Sequence, residues 1–518
     1  MNTTQLAIID LGSNSARLVI YEQDEQGLLF ETDNVKQVLR LSSHLTPDGQ
    51  LDESGVHLTL NCLRHFKDIC DARGVTEIVG VATAAMRQAE NGAELRDRIE
   101  RETGISVRIL SGPEEAQYGY LAVVNTMNVR DAFTVDIGGG STEVTWVEDR
   151  RCVHKISFPF GAVSLTQRFF KSDNPAQDEL KKLEAFLREQ FAGAPWLTKR
   201  PRPVPLIAMG GTARNIGNMD QKKRNYSFQS LHQYTMNPAA VAQSYQTLVK
   251  TPLDKRRKIK GLSKDRADLI VAGAAVFSVL LDVTGSAEFV ISTKGLRDGL
   301  LFERMLQGVD DNVVPDVSLF SARQWMKRYR VNQTRAEHVS RLAVSLFDQL
   351  NDLGLLQADA GQRRLLQISG LLQDIGLSIN TFDAAQHTFY LLTNVLLYGL
   401  THRERLILGM LASYKNDKKI EKQLIQHSDM VMPMELPGIK RLAQLGMLAR
   451  ILNRPLAGQV RSIQVEKRPD GVRLLCRVLP QHILDRGLVD EMLEALSKTY
   501  GIKFGYELTP VPTVETTN

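Results

Sequence analysis

Apolar residues follow two alternating rhythms over the first three hundred positions. Short apolar runs at 6–9, 79–82, 107–110, 133–135, 144–147, 206–208 and 289–291 predict strands. Between them the spacing turns helical, as in Val56, Leu60, Leu63, Phe66 and Cys70. The strand runs are continuously apolar, which predicts sheets covered on both faces and an α/β fold. The most apolar window, LIVAGAAVFSVLL at 269–281, falls short of the ~20 residues that span a bilayer and predicts a buried helix.

The rhythm then changes twice. GVDDNVVPDV at 308–317 is acidic, contains Pro and marks a linker. From 318 to 455 strand patterns are scarce, and Val339, Leu342, Leu346 and Leu350 share one helical face. Beyond Pro455, SIQVEKR and VRLLCRV predict a hairpin across Pro469-Asp470-Gly471, with a helix near 488–500 and a strand near 504–508. Four domains are expected: α/β lobes at 1–125 and 126–305, a helical domain at 312–455 and a small α/β domain at 456–518.

Composition narrows the class. The chain has 518 residues, enough for three or four domains with large cores. Its 64 Lys+Arg and 59 Asp+Glu leave a net charge of only +5, so attraction to a polyanion must come from local clusters, and nucleic acid is not an expected partner. Cys62, Cys70, Cys152 and Cys476 form neither a CxxC pair nor a disulfide framework; reduced thiols and a cytoplasmic setting follow, without a zinc site. Residues 1–5 lack the basic and apolar regions of a signal peptide, and no transmembrane segment is expected.

The candidate chemistry lies in a turn that occurs twice. AIIDLGSNSARLVI and FTVDIGGGSTEVTW each run from an apolar strand into Asp, then small residues, then a second apolar run. Gly12, Ser13, Asn14 and Ser15 in one copy, and Gly138, Gly139, Gly140 and Ser141 in the other, can leave successive backbone N–H groups open to a phosphate. Asp10 or Asp136 would repel that phosphate unless a cation such as Mg²⁺ lay between them. Two facing loops imply a cleft between lobes.

These segments, DLGSNS and DIGGGSTE, together with AMGGTARN at 208–215, resemble the phosphate loops of the actin, sugar-kinase and heat-shock ATPase superfamily. More closely, they resemble its exopolyphosphatase and guanosine-pentaphosphate phosphohydrolase family. VATAAMRQA, SGPEEA, FPFGAVSLT, GLSKDRADLIVAG and STKGLRDGLL extend the likeness over about 300 residues in family order, and the four-part length is that of long bacterial exopolyphosphatases. The resemblance implies two actin-like, ribonuclease H-like lobes, an HD-like helical domain and a small α/β domain. It implies processive hydrolysis of terminal phosphate from inorganic polyphosphate, or from guanosine pentaphosphate, with Mg²⁺, in a cytoplasmic homodimer.

The same resemblance assigns roles. Glu115 becomes the water-activating base; Ser111 and Glu114 have capping-box spacing, which leaves Glu115 without a structural task. Asp10, Asp136 and Glu143 become metal and phosphate-site carboxylates, although Glu143 also fits an exposed strand acid. Arg17 and Arg87 are candidate phosphate clamps, with a solvated sheet edge as the alternative for Arg17. Gly210, Gly211 and Thr212 form a third small-residue loop, and Arg297 a further wall. Basic runs at Lys255, Arg256, Arg257, Lys258 and Lys260, at Arg323, Lys327, Arg328 and Arg330, and at Lys415, Lys418, Lys419 and Lys422 offer a polymer track or simply solvated faces.

LLQDIGLSIN at 371–380 resembles the His-Asp segment of HD metallohydrolases, with His338 upstream and His387 downstream. Gln373 occupies the His position, and a neutral amide is a poor substitute for imidazole, so a metal-free structural domain is expected. A non-catalytic phosphate-polymer sensor is the competing reading from another class; Glu115, Asp136 and Glu143 weigh against it. A cytoskeletal filament protein accounts less well for the helical addition.

Overall fold

The computed structural model describes residues 4–23, 29–199, 203–454, 458–480 and 482–511. They form two compact units that divide after Val317.

The first unit holds two sheets. One contains β1 (Thr4–Leu11), β2 (Ser15–Gln23), β3 (Leu29–Val38), β4 (Glu77–Ala82) and β5 (Val107–Ile109), in the order β3-β2-β1-β4-β5. The other contains β6 (Ala132–Ile137), β7 (Thr142–Glu148), β8 (Arg151–Phe158), β9 (Leu206–Met209), β10 (Tyr234–Met236) and β11 (Phe289–Ile291), in the order β10-β11-β9-β6-β7-β8. In each, three antiparallel strands meander and then two join in parallel; in the second sheet β10 adds antiparallel to β11. One topology thus occurs twice, β1 corresponding to β6 and β2 to β7. This is the expected actin-like duplication.

The central strands of each sheet are covered on both faces. Ala7, Ile9 and Leu11 of β1 pack with Leu60, Leu63, Phe66 and Cys70 of the Glu53–Arg73 helix, while the alternate Leu6 and Ile8 pack with Leu121 and Val124 of the Gly112–Val124 helix. The apolar window at 269–281 forms the N-cap and most of the Ile270–Thr284 helix, buried against Phe133, Val135 and Trp146 of the second sheet. No helix among the described residues is long and apolar enough to cross a membrane.

The Gly112–Val124 helix serves both sheets. Leu121 and Val124 join the core of the first, whereas Val123 meets Ile207 and Met209 of the second. The Leu296–Met305 helix follows the second sheet in the chain but packs on the first through Leu300 and Leu301.

The acidic stretch 308–317 is not a loose linker. Asn125, fully buried, donates through Nδ2 to Asn312 O at 2.9 Å and accepts the Val314 N–H at 2.8 Å; Arg150 donates to Val314 O at 2.7 Å. A buried amide must find partners, and this stretch supplies them.

In the second unit, helices including Gln333–Asp352, Ala360–Leu372 and Leu436–Leu452 precede a sheet of β12 (Val460–Arg468), β13 (Gly471–Val478) and β14 (Phe504–Pro510). The first two form the expected hairpin, with Arg468 opposite Gly471. β14 joins in parallel after the Arg486–Tyr500 helix. Gln349 docks this sheet on the helices, donating to Ile463 O at 2.9 Å and accepting the Val465 N–H at 2.8 Å.

Candidate active site

The repeated turn closes the same way in both copies. Gly12 N–H donates to Ser15 O at 3.2 Å, and Gly138 N–H to Ser141 O at 3.0 Å. The turn carbonyls are tied backwards: those of Ser13 and Asn14 accept from Ser42, Leu39 and Arg40, and those of Gly138 and Gly139 from Ala162, Val163 and Ser164. Satisfied carbonyls leave the N–H side of each turn for a ligand.

The two turns face each other at contact distance. A Cβ placed on Gly139 would lie 3.0 Å from Ser13 Cβ, and one on Gly140 would lie 3.3 Å from Ser13 Oγ. Between the turns opens a polar pocket bordered by Asp10, Gly12, Ser13, Asn14 and Ser15 from the first lobe. Asp136, Gly138, Gly139, Ser141 and Glu143 border it from the second. Gly210 and Gly211 form a third wall, and Gly210 has φ +82°, where a Cβ would also come within 2.7 Å of Asp136 Oδ1.

Glu115 enters from the start of the Gly112–Val124 helix. Ser111 caps that helix, Glu114 closes the capping box through the Ser111 N–H at 2.7 Å, and Glu115 alone turns into the pocket. It is buried beside Arg87, whose guanidinium donates both to its carboxylate and to Leu110 O, the latter at 2.7 Å. Desolvation pushes the Glu115 carboxyl up to about 7 against the pull of Arg87, and Asp10 and Asp136 add to the rise.

The other carboxyls behave alike. Desolvation, then the Asp10 charge, raises Asp136 to about 6 even though Arg214 opposes it. Glu143 is held well above the usual carboxylate range by burial and by Glu115 and Asp136. Asp10 is raised by burial despite Arg297, whose Nη1 lies 3.1 Å from Asp10 Oδ2. Arg214, Arg266 and Lys294 line the same pocket. Burial lowers Arg17, Arg214 and Arg266, and neighbouring guanidiniums lower Arg17 and Arg214 further. Crowded cations and crowded carboxyls in one pocket suit a ligand carrying both a metal ion and an oxyanion.

Some expected residues stand elsewhere. Thr212 is buried and directed at Gly273, where a Cβ would come within 2.6 Å of Thr212 Oγ1, so it packs a helix pair and does not border the pocket. Arg87 reaches the site only through Glu115. Arg17 does not line the pocket but stands beside it: it is the strand partner of Asp10, donates to Asn34 Oδ1 at 3.2 Å and lies close enough to Arg297 and Arg214 to be lowered by them. Gly140 faces Ser13 without lining the pocket, and its carbonyl accepts from Gln88 Nε2 at 3.4 Å. Arg256 is buried and donates to the carbonyls of Leu248, Thr251, Ala267 and Asp173, so it leaves the candidate basic track.

Arg214, Arg266 and Lys294 border the pocket without having been singled out. Each lies within a segment that carries the family likeness; Arg214 is one helical turn after Gly210, which places it on the same side of the helix.

In the second unit, Asp374 is claimed by two guanidiniums: Arg450 Nη2 at 2.9 Å and Arg335 Nε at 3.5 Å. His338 donates from Nε2 to Val460 O at 2.7 Å and accepts from Arg341, and burial lowers its pKa. Gln373 is buried and His387 half-buried. Among the described residues no group of three or more His, Cys, Asp or Glu is gathered as a metal cage.

Comparison with known proteins agrees with this architecture. The family model described as the Ppx/GppA phosphatase family matches residues 19–308, and that described as Ppx/GppA phosphatase, domain III, matches residues 317–493. The crystal structure of the Aquifex aeolicus member of the Ppx/GppA family is 28% identical, with 60% of this chain and 99% of that chain covered and a TM-score of 0.52. A second structure, of the Aquifex aeolicus PPX-GPPA enzyme, is 29% identical over 58% of this chain and 99% of its own, with a TM-score of 0.50. An exopolyphosphatase from Cytophaga hutchinsonii shares the fold at 24% identity, covering 60% and 99% with a TM-score of 0.55. With two facing turns bordering one pocket and a family match across more than half its length, the chain belongs to the Ppx/GppA phosphatase family.

Proposed function

We propose that this phosphatase is an exopolyphosphatase that releases orthophosphate from the end of inorganic polyphosphate. The observation that carries the reading is Glu115: a buried carboxyl with its pKa pushed up to about 7, bordering a pocket walled by two phosphate turns. A base poised near the working pH takes a proton from water most effectively.

The terminal phosphate lies between the N–H sides of the two turns, with Arg214, Arg266 and Arg297 facing its oxygens. Glu115 orients a water and accepts its proton as the water oxygen bonds to the terminal phosphorus. The bridging P–O bond breaks, and its electron pair leaves with the shortened chain. Glu115 then returns the proton to solvent. Arg87 keeps the carboxyl directed into the pocket.

Asp10, Asp136 and Glu143 would hold Mg²⁺, which would supply charge neutralisation to the phosphate chain. Hard oxygen donors fit this ion. In the second unit the Arg335 and Arg450 guanidiniums take the place beside Asp374 that a cation would need, which supports a metal-free HD-like domain.

The test is orthophosphate release from polyphosphate and, side by side, from guanosine pentaphosphate, with and without Mg²⁺. Mg²⁺-dependent release from polyphosphate with the higher kcat/KM supports the proposal. Preference for the nucleotide reassigns the substrate, and no release from either overturns the hydrolase reading.

A further inference from the structure

Ser157 stands directly across the β7–β8 pairing from Glu143 and donates from Oγ to Glu143 Oε1 at 2.7 Å. Ser141, in the second turn, bonds the same carboxyl. On its other side Ser157 meets Gly112, the first residue of the helix that carries Glu115. A Cβ on Gly112 would lie 2.4 Å from Ser157 Cβ and 2.7 Å from Ser157 Oγ, so the helix can seat there only because position 112 has no side chain. Two residues earlier on the same strand, Lys155 donates to Gln117 Oε1 at 2.9 Å, fixing the next turn of that helix against β8.

We infer that Ser157 is a positioning residue: its hydroxyl orients the Glu143 carboxyl while its Cβ seats the helix that presents Glu115, so that one side chain sets how the two acids stand relative to each other in the pocket. A buried carboxyl keeps one orientation only while its oxygens have fixed donors. Without the Ser157 hydroxyl, Glu143 retains Ser141 alone and gains freedom to rotate. The phosphate turns, with their backbone bonds to 39–42 and 162–164, are untouched. Such a loss falls on the chemical step and spares ground-state binding.

The inference rests on the hydrolase reading above, and full-length Ser157→Ala, Ser157→Cys and Gly112→Ala test it by steady-state orthophosphate release from polyphosphate with Mg²⁺, alongside thermal unfolding. Ser157→Ala removes the hydroxyl without adding bulk, and its kcat is expected to fall about 10- to 100-fold with KM within about twofold of wild type. Its unfolding midpoint is expected to stay within about 2 °C of wild type. Ser157→Cys, a weak donor of similar shape, is expected to be intermediate. Gly112→Ala, which displaces the helix with the hydroxyl intact, is also expected to slow turnover. Wild-type kcat in Ser157→Ala, or a loss that follows KM or the unfolding midpoint, overturns the orienting role; wild-type kcat in Gly112→Ala overturns the seating role. Glu115→Gln separates the two levels: turnover at the wild-type rate in that variant overturns the hydrolase assignment of Glu115, whatever Ser157 does.

Discussion

Arg87 donates to the Glu115 carboxylate and, from the same nitrogen, to Leu110 O. The arginine therefore commits one guanidinium nitrogen to the carboxyl proposed as the base. Replacing it with methionine removes a charge that favours ionised Glu115, so the Glu115 pKa should rise further. If Glu115 is the base proposed above, activity needs its ionised form; the acid limb of kcat should therefore move to higher pH, while a simple phosphate clamp would raise KM with that limb unmoved. A pH–rate profile of Arg87→Met decides between them.

Glu115→Gln should lower kcat by about 10²–10⁴-fold with little change in KM. It should also stabilise the first unit above neutral pH. Folding raises this carboxyl from 4.5 to about 7, so the folded chain binds the extra proton between those values. Stability is gained as pH falls through that window and is lost above it. Glutamine carries no such penalty, and its unfolding midpoint at pH 8 should exceed wild type by about 2 °C, shrinking toward zero at pH 4. Calorimetry at the two pH values provides the check.

Gly210→Ala tests the third wall. A side chain at φ +82° costs about 1–2 kcal/mol, and its Cβ would press on Asp136 Oδ1. We expect a lower denaturation midpoint together with a loss of turnover that added Mg²⁺ does not restore. Gly285→Ala, which also has positive φ but meets nothing within 4 Å, should lose stability alone.

The second unit offers a test independent of catalysis. Arg450→Met leaves Asp374 to Arg335, and Arg335→Met with Arg450→Met leaves it without a guanidinium. The double variant should lose about 3–5 kcal/mol of stability, more than either single change, because a largely buried carboxylate is then left unpaired. Urea unfolding measures this. Zn²⁺ and Mg²⁺ should not alter the wild-type transition of this unit.

Much of the architecture was legible because its strands are covered on both faces and therefore read as unbroken apolar runs. β3 and β8 were not predicted among those runs: LFETDNVKQV and RCVHKISF are edge strands whose side chains are largely exposed or half-buried, so the signal is polar. β10 is too short to register. The turns were legible because Asp followed by Gly and Ser implies both a backbone geometry and a charge conflict. Arg214 and Arg266 were not, since a single arginine in a helical or turn pattern looks the same whether it meets solvent or a ligand. Thr212 was misjudged for a related reason: one small residue beside two glycines continues the composition of a loop, while its side chain fills the space beside Gly273.

The duplicated turns are alike in backbone and unlike in what stands opposite the aspartate. Asp10 pairs across its hairpin with Arg17, and Asp136 across its own with Glu143. On the proposed reading, two acidic copies would repel a phosphate chain, and two basic copies would leave the proposed cation short of hard donors. The halves have thus become specialists, and a chimera built from two first halves or two second halves should fold into familiar lobes yet remain inert.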